Sequence, residues 1–207
     1  MPRGPRPPAP AGAASVNAID DVLAFWFGAA PGGPGYGRAR EVWFEEGAAF
    51  DAEVRRRLGA AREAAAAGRL DGWAETARGA LALVILLDQA PRNIFRGEAR
   101  AFATDEKARD VAAAALARGL DHALVPAERM FLYLPFEHGE RLEDQRRSLE
   151  LFASLEADPA TAGCLEWARR HHEVIARFGR FPHRNAVLGR ATTPEEAAFL
   201  AAPDSSF

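Results

Sequence analysis

From residue 44 to the last few positions, apolar side chains recur every three or four residues, and no stretch alternates with period two for long enough to form a strand. That pattern limits the chain to helices packed on helices. Ile19, Val22, Leu23, Trp26 and Phe27 define a first apolar face beginning near Ser15. Phe50, Val54 and Leu58 step along a second, whose Ala-rich continuation closes at Gly68. Residues 79–90 are apolar nearly all round, the mark of a buried central helix, and Pro91 is expected to stop it. Thr104, Asp105 and Glu106 supply a cap and early acids for the next helix, which Gly119 ends. Pro126 suits the first turn of another, disturbed at Pro135, with Met130 and Phe131 among its buried residues. Residues 141–155 are amphipathic with Leu142, Leu149 and Phe152 inward, and residues 161–178 carry Leu165, Trp167, Val174, Ile175 and Phe178. Thr193, Pro194, Glu195 and Glu196 cap a short last helix. The fold class is all-α.

Two segments stand outside this pattern. Residues 1–14 contain Pro, Ala, Gly and Arg around a starting Met and lack the apolar stretch of a signal peptide, so they are expected to be a disordered leader to a single helical domain over residues 15–207. Residues 28–37 are a Gly-rich loop without the Gly-Lys-Ser/Thr ending of a phosphate loop. The remaining aromatics, Trp43, Phe44, Trp73 and Phe136 among them, read as core.

Composition removes several functions. The net charge of −3 gives no general basicity, so neither nucleic acid nor an anionic membrane is an expected partner. The longest purely apolar run, residues 80–87, is far short of the roughly 20 residues that span a bilayer. One cysteine, Cys164, excludes an internal disulfide and a Cys-rich metal site, and the expected location is the cytoplasm. The chain holds 46 Ala but only 3 Asn, and 25 of its 26 basic residues are Arg. Two of those three asparagines follow an arginine, as Arg92-Asn93 and Arg184-Asn185, at expected helix ends.

Short links between helices favour antiparallel neighbours, so the helices at 79–90, 126–138 and 161–178 should run parallel and end on one side. Each ends in polar residues. The first brings Asp88, Gln89, Arg92 and Asn93; the second Tyr133, Glu137 and His138; the third Arg177, Arg180, His183, Arg184 and Asn185. The intervening helices start on the same side, which brings Arg96, Thr104, Asp144, Gln145 and Arg146 within reach. His171, on the apolar stripe one turn from Trp167, projects inward near this end, and its neighbour His172 faces solvent. The expectation is one concave, mixed-charge site.

The strings WFG, LDQAPRNIFRG, AFATDEKAR, FLYLPFEHGE, DQRRSLELF and RFGRFPHRN resemble those of the DUF924 family, over a span from about Asp20 to the C-terminus. The resemblance implies an all-helical, TPR-like arrangement and leaves the activity open. Ala90 stands where the family usually has an aromatic residue and Gly139 where it often has serine; smaller residues there either widen a pocket mouth or follow the chain's compositional bias, and imply no activity.

The cluster has two readings. Arginines and histidines at helix C-termini favour the dipole, and ion pairs can lock helix geometry. Burying many charges is, however, a poor route to stability, which favours a ligand. Guanidinium forks suit a carboxylate or phosphate, and residues 165–190 hold six Arg and three His against two Glu, so a small anionic ligand leads. An acidic peptide in a TPR-like groove competes. Acid–base chemistry by Glu137 and His138, with His171 or His183 as a second titrating group and Arg92 or Arg184 holding an oxyanion, is a further alternative. No nucleophile and no metal-ligand spacing stands out, and no cofactor is indicated.

Overall fold

The computed structural model describes residues 16–43 and 47–202. The expected leader at 1–14, the start at Ser15 and Phe44 lie outside them. Every regular element among the described residues is helical. The α-helices are α1 (Val16–Phe27), α2 (Ala48–Ala66), α3 (Ala77–Val84), α4 (Ala90–Ile94), α5 (Asp105–Ala117), α6 (Pro126–Glu137), α7 (Leu142–Ala153), α8 (Cys164–Phe178) and α9 (Pro194–Leu200), with short 3₁₀ turns between several of them.

The capping chemistry explains the boundaries. At the end of α2, Gly68 takes φ +78°, and the Arg69 and Gly68 amides bond to the carbonyls of Ala64 and Ala65, closing the helix in the paired pattern that a left-handed residue permits. Pro126 opens α6, and Glu128 accepts from the Val125 amide at 3.0 Å. At α9 the Thr193 hydroxyl and the Glu196 carboxylate exchange hydrogen bonds with each other's amides, a complete capping box. Thr104 corrects the expectation for α5. It makes no side-chain cap there, and its hydroxyl donates to Leu87 O at 2.5 Å.

That bond belongs to the main departure from the sequence pattern. Pro91 does not stop the central helix. Residues Ile85–Gln89 form a π-helical turn that joins α3 to α4, and the chain stays helical to Ile94. Proline lacks an amide hydrogen and its ring crowds the carbonyl four residues earlier. The wider turn relieves that crowding, and Thr104 satisfies the Leu87 carbonyl.

Residues 80–87 of this helix are fully buried. Trp26 and Phe27 of α1, Trp43 and Phe131 of α6 pack edge to face at 4.8–5.7 Å beside it. Their burial supplies the main driving force for the fold. A smaller apolar cluster, Val174, Ile175 and Phe181, secures the far end of α8. Two sequence expectations change here. Trp167 is 49% exposed with Arg170 stacked on it, so the inward stripe of α8 runs through Leu165, Ala168, His171, Val174 and Ile175. On α7 the buried face is Asp144, Gln145, Ser148, Leu151 and Phe152, whereas Leu142 and Leu149 are half-buried.

Candidate functional site

The ends of α4, α6 and α8 meet the starts of α5 and α7. The π turn sets the centre by placing Asp88 on the inner side of the helix, where it is fully buried. His138, at the C-terminus of α6, directs Nδ1 at both Asp88 oxygens, 2.8 and 3.0 Å away. Gln89 donates to Asp88 at 2.5 Å, and Arg92 lies 3.1 Å from its carboxylate while bonding its carbonyl. Burial alone would raise the Asp88 pKa, but the charges of Arg92 and His138 and these hydrogen bonds hold it well below the usual carboxylate range. His138 is lowered from its ordinary value by burial and by Arg92, against the opposing pull of Asp88.

Around this pair stands a second layer. Asp105, first residue of α5, takes a two-point grip from Arg92 at 2.9 and 3.0 Å. Arg184 donates to His138 O at 3.0 Å, lies 3.7 Å from Asp105 and is sandwiched between the rings of Phe102 and Phe181. Gln145, at the start of α7, caps the end of α6 by donating to the carbonyls of Glu137 and Gly139 at 2.6 and 2.7 Å. Beside these groups opens a cleft of about 410 Å³, whose walls include Phe102, Asp105, Arg109, His138, Asp144, Arg184, Leu188 and Arg190.

Glu137 turns away from this cleft. It is 4% exposed, lies 3.5 Å from His171 Nδ1, and its pKa is pushed up to about 8 by burial and then by the Asp88 charge. His171, whose Nδ1 also meets Trp167 O at 2.9 Å, is lowered to about 3 by burial, with His138 and Arg184 adding to the effect. His183 packs against Phe181 and is lowered to about 4 by burial and by Arg184.

The structure therefore brings together Asp88, Gln89, Arg92, Glu137, His138, Asp144, Gln145, His171, His183 and Arg184, and leaves other expected residues elsewhere. Asn93 and Arg96 both bind Asp51 of α2. Tyr133 bonds to Asp121 and Arg129 at another part of α6. Arg177, Arg180 and Asn185 bond to Glu195 or Glu196, tying α9 to α8 and to the turn that follows it. Arg146 is exposed, and His172 is half-buried. The common cause is register, since residues one or two positions apart on a helix face different ways. Ala90 is fully buried, so its small side chain opens no pocket mouth; Gly139 does line the cleft, where a Cβ would come within 2.9 Å of Asp144 Oδ2.

Asp105, Arg109, Phe102, Phe181, Glu140 and Arg190 escaped the sequence reading as site residues. Asp105 carried a signal, being the first helical acid after Thr104, but helix-start acids commonly serve the dipole alone. Among the described residues, no group of three His, Cys, Asp or Glu is arranged to hold a metal ion.

These features define an all-helical protein with a buried Asp–His pair and a stacked arginine at the edge of a polar cleft. The chain belongs to the DUF924 family, described as bacterial protein of unknown function, whose model matches residues 22–204. It is also similar to the solved structure of a protein of unknown function from Agrobacterium tumefaciens, with 43% identity and a TM-score of 0.79 over 89% of this chain and 97% of that one. No curated protein matches it. No described helix is long and apolar enough to cross a membrane.

Proposed function

We infer that the cleft binds a small anionic ligand carrying a carboxylate or phosphate. The observation that carries this reading is the state of Arg184. It is 6% exposed and lines the cleft, yet its Nε has no hydrogen-bond partner among the described residues. Burial, followed by the charge of Arg92, lowers its pKa to about 10. The acids nearby are already engaged by other arginines: Asp105 by Arg92, Asp144 by Arg109 at 3.4 Å, and Glu140 by Arg190 at 2.9 Å. Arg184 therefore shares its nearest acid, Asp105 at 3.7 Å, with Arg92, so its charge is only partly balanced, and an entering anion would complete the balance. Stacking between Phe102 and Phe181 fixes the plane of the guanidinium, so a ligand would meet a preformed fork.

A small ligand suits a cleft of about 410 Å³ better than the acidic peptide that a TPR-like groove would take. The test is a thermal-shift series with phosphate, citrate and glutarate on the wild type, Arg184→Ala and Arg109→Ala. Saturable stabilisation that Arg184→Ala abolishes supports the reading. A flat response to all three anions, or equal stabilisation of Arg184→Ala, overturns it.

A further inference from the structure

We propose that the Asp88–His138 pair makes this cleft a hydrolytic site for small anionic carboxylic esters, with His138 as general base toward water and Arg184 facing the developing oxyanion. The proposal rests on the ligand reading of the same cleft and adds a reaction to it.

The geometry fixes the roles. Both oxygens of a fully buried Asp88 receive His138 Nδ1, so that nitrogen carries the ring proton and Nε2 keeps its lone pair. His138 is among the residues lining the cleft, its side chain keeps some exposure, and no hydrogen bond from a described residue engages its Nε2. Asp88 cannot swing away, because Gln89 and Arg92 hold it from its own helix. Burial and Arg92 lower the proton affinity of His138, which favours the neutral ring that a base requires. The charged and titratable groups around it are Asp88 and Arg92 from the central helix, Asp105 from α5, His171 from α8, and His183 and Arg184 from the turn after α8; Glu137, next to it in sequence, turns toward His171 instead.

Arg184 is bonded to the main-chain carbonyl of His138, which ties the cation to the backbone that carries the base. A single guanidinium at one place matches the single oxyanion formed from an ester carbonyl. The attacking group is water. Cys164, the one thiol of the chain, is half-buried against Met130 with its pKa pushed up to about 11 by burial and by Glu137, and no serine lines the cleft.

The step balances without another reactant. The water oxygen bonds to the acyl carbon while Nε2 takes a water proton, and the carbonyl electron pair moves onto the oxygen beside Arg184. When the tetrahedral species collapses, that pair re-forms the carbonyl, the bond to the leaving oxygen breaks, and Nε2 returns the proton to the departing alkoxide. One water is consumed, and one acid and one alcohol are formed. Asp88 is a positioning residue, acting through the tautomer and orientation of His138.

The test uses the full chain with mono-4-nitrophenyl glutarate, following nitrophenolate release, and with 4-nitrophenyl acetate as the uncharged comparison. Saturable turnover is expected, faster for the glutarate ester than for the acetate, with kcat/KM rising as His138 loses its proton. His138→Gln should lower kcat roughly 10²- to 10⁴-fold while keeping stabilisation by glutarate. Asp88→Asn should lower kcat with little change in KM and displace the pH profile. His138→Gln carries the test if Asp88→Asn does not fold. Turnover unchanged by His138→Gln overturns the proposal. Stabilisation by glutarate without turnover also overturns it and leaves the binding reading standing, whereas neither stabilisation nor turnover overturns both.

Discussion

Glu137→Gln is expected to stabilise the protein by an amount that grows with pH. In the folded chain Glu137 holds its proton up to about pH 8, because burial and the Asp88 charge disfavour its anion; its ordinary value is 4.5. Between these values the folded state binds a proton that the unfolded chain has released, so stability falls as pH rises through that window. At 1.36 kcal/mol per pK unit, the loss between pH 5 and pH 8 is about 3 kcal/mol. Glutamine cannot ionise and escapes the loss, while any fixed effect of the amide cancels between the two pH values. His171, lowered to about 3, stays neutral in the folded chain across this range and appears as the same background in both proteins. Urea unfolding of both proteins at pH 5, 6, 7 and 8 measures the increment. A stability difference that stays constant within about 0.5 kcal/mol from pH 5 to 8 would refute a protonated, buried Glu137.

Two further substitutions test the central helix. Gly79→Ala should destabilise by roughly 3 kcal/mol or more, because its Cβ would overlap the Trp73 carbonyl oxygen and come within 2.8 Å of Thr76 Oγ1. Alanine normally gains about 1 kcal/mol over glycine inside a helix, so an unchanged or raised urea midpoint would contradict that packing. Thr104→Val should cost about 1–3 kcal/mol by leaving the Leu87 carbonyl without its donor. An unchanged urea midpoint would mean that the π turn does not depend on that hydroxyl.

The chain's periodicity made the helices legible because burial of one face dictates spacing, and α1, α2 and α9 follow their sequence signals closely. Pro91 misled for a physical reason: a proline ends a helix only when the crowded carbonyl has no other solution, and here the widened turn and a distant threonine provide one. The meeting of Asp88, His138 and Arg184 follows from alternating helix directions and short links. The finer assignment failed where side-chain direction mattered. Asn93 and Arg96 lie one to four residues beyond Arg92 yet reach Asp51 instead of the cleft. Arg180 and Asn185 are drawn away by Glu196, which also caps α9. The stacking of Arg184 between two phenylalanines from separate segments has no local signature at all.

The most direct measurement of the central claim follows the Arg184 Nε–H resonance in ¹⁵N-labelled protein, assigned by its loss in Arg184→Lys, during titration with glutarate and with phosphate. Arg184 Nε has no protein partner among the described residues, so an anion in the cleft should shift this signal saturably and ahead of the surface arginines. An Arg184 signal that stays in place while the exposed arginines drift together would contradict the binding site.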